Sequence, residues 1–305
     1  MIPIAIAPDL MEEAVLLAEC RAPSAVVRTF RRSRNQIYEV GDPSLREAQF
    51  HALALEWFGR FGLRARLEAA VEQHSALAGS VAGGRIVRAM GRGAEGADLV
   101  DPAVHQPGDA RPLLVVRLTP ESLLDADRLT RLLRHELMHV TDMLDPSFGY
   151  QRDLPASGDG PSADNIVRDR YRVVWDATID GRLARSQNVS PPTRDVRWRE
   201  FRTAFAMLGD QGPDAFERWW NEPQPTHRSI LAFAKAPAGS VTGAGRCPFC
   251  QFPVATLDPR VSALSEPVAR ALQTEHPSWR REQGICPQCF DLYEARYGHA
   301  SSTCR

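Results

Sequence analysis

Lysine is all but missing from this 305-residue chain: Lys235 is the only one among 37 basic residues, so its positive charge is almost entirely arginine. Charge of one sign is missing as well. Basic and acidic residues stand at 37 against 38, which excludes both a global basic field that would draw in nucleic acid and an acidic, solvated tail. No stretch approaches the roughly 18 uninterrupted apolar residues that span a bilayer, so no membrane partner is expected. The opening MIPIAIAPDLMEEAVLLAEC carries no basic residue ahead of its short apolar run, and Pro3, Pro8 and Asp9 interrupt that run. It does not read as a secretory leader, and a cytoplasmic protein is expected. There is no internal repeat. Cysteine is sparse, at six residues, yet four of them form two CxxC pairs, a usage that in a cytosolic chain favours metal binding over disulfides. Cys20 and Cys304 are left over as expected free thiols.

Residues 43–77 are helix-forming and rich in apolar side chains, with a weak point at Gly59 and Gly62 that predicts one bent helix or two. GRIVRAM and then PLLVVRL, at 112–118, are short, branched and apolar like buried strands, so a small sheet is expected. Helix-start residues at Thr119 to Glu121 and Asp125 to Asp127 predict a helix over 127–144, stopped by Asp145-Pro146. Residues 146–164 have loop composition, of a length that suits a segment shaping or covering a site. Helical patterns resume at 165–187, 196–208, 212–221 and 226–235. The expected organisation is an N-terminal helical region (1–84), a core with a helical extension (85–235), a small-residue linker (236–246) and a cysteine-bearing module (247–305).

The helix predicted over 127–144 contains Arg134-His135-Glu136-Leu137-Met138-His139, an HExxH sequence. At 100° per residue, Leu129, Leu133, Leu137, Val140 and Leu144 form one core-facing stripe, while His135, His139 and Asp142 gather on the opposite side. Two histidines one turn apart can direct ring nitrogens at a common point about 2 Å from each, as Zn(II) requires, with Glu136 beside the first to act on a water. A catalytic zinc takes three protein ligands and keeps one open position, so a third ligand comes from elsewhere. The next helix, YRVVWDATIDGRLAR, offers Asp176 and Asp180 four apart on one face; ion pairing with Arg172 or Arg182 is their other use.

An HExxH helix preceded by a strand and followed by a helix with an acidic ligand resembles the gluzincin class of zinc metallopeptidases, in particular its compact minigluzincin forms. The resemblance covers residues 85–187. The class uses Glu as third ligand in a Glu-Gly-x-Ala or a Glu-x-x-x-Asp context. Asp180-Gly181-Arg182-Leu183-Ala184 is similar to the first with Asp for Glu, and Asp176 to Asp180 is similar to the second. The glycine favours Asp180 as the ligand, with Asp176 as the alternative. The aspartate not used as a ligand, or Asp142, would accept the other ring N–H of a ligand histidine. The resemblance further implies that PLLVVRL is the strand edge that pairs with an extended substrate, and that a Tyr or His assists, with Tyr150 and Tyr171 nearby in sequence.

Cys247-Pro248-Phe249-Cys250 and Cys286-Pro287-Gln288-Cys289 supply four thiolates as two knuckles, a closed tetrahedral set suited to a structural zinc. Between them VSALSEPVARALQTEHPSW reads as an inserted helix, and a helix starting at the second knuckle fits FDLYEARYG, so the module resembles a zinc ribbon or treble clef. Its fold is expected to depend on the metal. Mixed charges, from Arg260 to Glu282, do not point to nucleic acid, although such a module can bind it.

The expected fold class is α+β, mainly helical, with a small sheet packed on the HExxH helix. The expected function is zinc-dependent hydrolysis of a peptide or protein, with Glu136 as general base and two zinc ions, one catalytic and one structural. The alternatives are a non-catalytic zinc-binding recognition protein with a protein or DNA partner, and a SprT-like protease acting on DNA-attached proteins. The latter predicts a third histidine soon after the motif, whereas the next one after His139 is His227.

Overall fold

The computed structural model describes residues 2–72, 74, 77, 79–101, 111–156, 161–187, 192–237, 247–250 and 257–297. They are mainly helical, with one small mixed sheet, as the sequence predicts. The chain divides into two compact units, Met1–Tyr150 and Gln151–Arg305.

The first unit opens with β1 (Ile4–Ile6) and helices α1 (Pro8–Glu19), α2 (Ser24–Tyr38), α3 (Pro43–Arg60) and α4 (Leu63–Glu72). The weak point expected near Gly59 and Gly62 is a true break: Gly62 sits at φ 70°, a left-handed conformation open to glycine at little cost, and it separates α3 from α4. Strands β2 (Gly83–Arg88), β3 (Gly96–Val100) and β4 (Leu113–Leu118) follow, then α5 (Pro120–Leu124) and α6 (Ala126–Leu144). Asp125 caps α6 by accepting from the Arg128 backbone N–H at 2.9 Å, so the helix starts one residue before the expected position. Residues 1–84 and 85–150 are not separate layers. The Ile-Ala-Ile of β1 pairs with β2, and the helices before β2 share one apolar core with the sheet and α6.

The sheet order is β1-β2-β4-β3, with β1, β2 and β4 parallel and β3 antiparallel to β4. This corrects the expectation for PLLVVRL. That segment is β4, and its backbone is used on both sides, by β2 in register Ile86 to Val116 and by β3 in register Ala97 to Val116. The edge on this side of the sheet, among the described residues, is the Gly-Ala-Asp-Leu-Val of β3.

The α6 stripe is buried as its period requires: Leu129, Leu133, Leu137 and Val140 are fully or almost fully shielded. Each contributes roughly 1.5–3 kcal/mol relative to exposure, which fixes the rotation of the helix and presents its other face.

The second unit is built on the 27-residue α7 (Pro161–Gln187), against which α8 (Pro192–Ala204), α9 (Gly212–Trp220) and α10 (His227–Lys235) pack. Phe201, Phe205, Phe216, Trp219 and Phe233 join in a continuous aromatic cluster among these helices. Gly181 has a packing reason. A Cβ there would overlap the Trp220 carbonyl oxygen and lie 2.8 Å from its carbon, so α7 approaches the end of α9 at the one residue without a side chain. Most of the 236–246 linker and Cys304 lie outside the described residues. Beyond it, α11 (Glu266–Glu275) and α12 (Pro287–Tyr297) realise the two helices expected in the cysteine module, which has its own core of Val268, Leu272, Trp279, Ile285 and Phe290 beside the cysteines.

Among the described residues no helix is long and apolar enough to cross a membrane.

Candidate metal centres

On α6 the Nε2 atoms of His135 and His139 lie 3.2 Å apart, with their rings at 75° to one another. Bonds of about 2.0–2.1 Å from two nitrogens that far apart would meet at roughly 100°, close to the tetrahedral angle that zinc prefers. His139 is buried and His135 half-buried. His135, His139 and Asp176 each offer one ligand atom, and these atoms all lie within 4.8 Å of one another, so the three form a group that could hold a metal ion. Of the two aspartates weighed in the sequence, the group includes Asp176. Asp180, one turn on, receives the Nε–H of Arg197 at 2.6 Å.

Arg197, from α8, is a residue that sequence reasoning missed. Its Nη1 lies 3.5 Å from Asp176 Oδ2 and 2.7 Å from Glu200 Oε2, so one guanidinium spans three carboxylates. Burial alone would lower its pKa, but the charges of Asp176 and Asp180 more than offset this and hold it above its usual value. Two buried carboxylates one turn apart demand a nearby cation, which was the available signal; which arginine answers depends on how α8 folds back along α7.

Glu136 points at the edge strand. Its Oε2 accepts the Ala97 backbone N–H at 3.1 Å, which makes that N–H one that faces away from β4. A Cβ at Gly96 would come within 3.3 Å of the same oxygen, so the glycine leaves room for the carboxylate. The strand itself is pinned just upstream. The buried Glu95 carboxylate accepts from the Thr119 backbone N–H at 2.9 Å, from Thr119 Oγ1 at 2.8 Å and from Arg128 Nη2 at 2.5 Å. These contacts tie the start of β3 to the end of β4 and to the first turn of α6. Burial opposes ionisation of Glu95, and the hydrogen bonds from Ser122, Thr119 and Arg128 prevail, holding its pKa below the usual carboxylate value.

Asp142 is buried on the histidine side of α6. Tyr171 is a core residue of the second unit, its hydroxyl 2.8 Å from His227 Nδ1 and its ring against Trp175. Tyr150 is half-buried at the end of the first unit. Cys20 is exposed, its S–H directed at the Leu16 carbonyl.

Cys247, Cys250, Cys286 and Cys289 form the second group able to hold a metal. The Sγ atoms of Cys250 and Cys286 are 3.8 Å apart, and sulfur bonds of about 2.3 Å would meet across that distance at roughly 110°. Backbone N–H groups already favour sulfur anions here: Cys289 N–H donates to Cys286 Sγ and Cys286 N–H to Cys247 Sγ, each at 3.4 Å. The thiols divide their protons unequally. Hydrogen bonds from Cys250, Cys286 and Cys289 push Cys247 down, while Cys286 and Cys289 are pushed up by their bonds to Cys247 and Cys250. A dication relieves that crowding of negative charge. Phe249 packs against Trp279, His276 and Tyr293, and Trp279 donates to the Gly284 carbonyl at 3.0 Å, so the first knuckle is bedded in the module's core.

Compared with models of known protein families, with curated proteins and with solved structures, the chain matches none.

Proposed function

We propose that the protein is a zinc-dependent peptidase, with His135, His139 and Asp176 as ligands of the catalytic ion and the four cysteines as ligands of a structural one. The observation that carries the reading is the position of Glu136: it neighbours a histidine pair spaced for a metal, and it faces β3, the edge strand among the described residues. A structural metal site has no use for a carboxylate in that position.

A zinc ion held by the first group supplies Lewis acidity and makes water nucleophilic near neutral pH. Glu136 takes the proton of the attacking water and passes it to the leaving amine, so hydrolysis proceeds without a covalent intermediate on the protein. β3 is the strand an extended peptide would pair with, taking over the Ala97 and Leu99 N–H groups from Glu136 Oε2 and Asp98 Oδ1, because β4 has both sides engaged. The four-cysteine set is complete in itself and leaves no position for water, which suits a role in folding the module.

The test is Glu136→Gln in the full chain. Elemental analysis should still return two zinc equivalents, and mass spectrometry of a denatured-protein substrate should show its cleavage abolished. Cleavage that survives the substitution assigns the chemistry to other residues. Two bound zinc ions with no cleavage by the unsubstituted protein favour the recognition-protein alternative.

A further inference from the structure

The two aspartates of α7 and the arginine of α8 form a competitive triangle. Asp176 and Asp180 are both buried, one turn apart on one face, and Arg197 reaches both with only a small part of its side chain exposed to solvent. Its guanidinium is not shared equally: the Nε edge makes a 2.6 Å hydrogen bond to Asp180 Oδ2, whereas Nη1 stands 3.5 Å from Asp176 Oδ2, beyond hydrogen-bond range. Glu200 holds the same Nη1 at 2.7 Å from the other side. A guanidinium and a metal ion make rival claims on a carboxylate, since each uses the same oxygen lone pairs.

We infer that Asp180 is a positioning residue which restrains Arg197, holding the guanidinium at ion-pair distance from Asp176 but short of a hydrogen bond, so that the Asp176 oxygens can serve the metal. The inference rests on the reading of His135, His139 and Asp176 as a metal site. Asp180 touches no metal in this account and acts through Arg197. Without Asp180, the fork needs to shift by less than about 1 Å to close on Asp176, and the metal loses its third ligand.

This gives a suppressor test in the full chain, with the four-cysteine site filled first and serving as an internal standard. Zinc affinity at the other site is read by competition with a chromophoric chelator. Asp176→Ala, in an otherwise native chain, should abolish that second equivalent; if it remains, the metal-site reading itself fails. Given that loss, Asp180→Ala should weaken zinc binding by about 10- to 100-fold. Adding Arg197→Met to Asp180→Ala should restore it to within about threefold of native, because the competitor is gone. An Asp180→Ala chain with native affinity overturns the inference, and so does an affinity that Arg197→Met fails to restore. Should Asp180→Ala not fold, Arg197→Met alone decides: native or tighter zinc binding is expected, and a loss greater than about tenfold would mean that the arginine is a required support of Asp176 and not its competitor.

Discussion

The Ala97 backbone N–H donates to Glu136 Oε2 over 3.1 Å, so an outward-facing group of the edge strand and the carboxylate beside the first histidine share one hydrogen bond. The contact depends on Gly96, where a side chain would press on the same oxygen from 3.3 Å. Gly96→Ala is expected to leave both zinc equivalents in place and to slow peptide hydrolysis by about tenfold, since small displacements of a reacting group cost rate steeply. Steady-state kinetics with zinc analysis of the same sample checks this; an unchanged rate would show that the carboxylate has room to spare.

Gly181→Ala should destabilise the second unit by about 1–3 kcal/mol, because the added methyl meets the Trp220 backbone and neither helix can yield without breaking the Arg185 Nη1 bond to the same carbonyl, now 2.7 Å. Gly59→Ala is the matched control. Its Cβ would meet nothing within 4 Å, and it lies inside α3, where alanine is favoured by about 0.5–1 kcal/mol. Thermal melts of the two variants should therefore shift in opposite directions.

Glu95 sets a pH dependence. Its folded-state pKa lies below the reference value of 4.5, so its contribution to stability is complete above that pH and is lost as the pH falls through the lower, folded value. Glu95→Gln should cost about 1–3 kcal/mol at neutral pH and flatten the acid side of the stability curve. Urea denaturation measured across the range from neutral to about pH 3 tests both parts; parallel acid limbs for the two proteins would rule out the assignment.

Cys289→Ser should remove one zinc equivalent and the module's cooperative unfolding, while hydrolysis by the other centre continues in the same sample. Cobalt substitution provides the readout, since sulfur-to-metal charge-transfer absorption would vanish and the weaker bands of a nitrogen and oxygen site would stay. Loss of both metals together would mean that the two centres are not independent.

Much of the candidate site was legible in the sequence because it depends on local periodicity. Leu129, Leu133, Leu137 and Val140 give the rotation of α6, and that rotation puts His135, His139 and Asp142 on one side. The cysteine knuckles are equally local. The strand order was not legible. It rests on β1, three residues long, and on β3, whose Gly-Ala-Asp start has little strand character, so β4 reads as an edge until both neighbours are known. Gly181 is a further case: in the sequence it favours Asp180 as a ligand, whereas in the fold it admits the backbone of Trp220. That Arg197 is the arginine that answers Asp176 and Asp180 was not legible for the same reason, since its partners are brought to it by the packing of α8 on α7.

The place of β3 in the sheet has a consequence for how such a site can diversify. Within the sheet, β3 is paired only to the outer side of β4, so the pairing of β1, β2 and β4 does not run through it. Beyond Gly96 and Ala97, which meet Glu136, the strand is thus an interchangeable part: its sequence can drift while the inherited framework persists. Within such a lineage, changes in what is recognised would accumulate in residues 98–100 faster than in the three parallel strands that carry them.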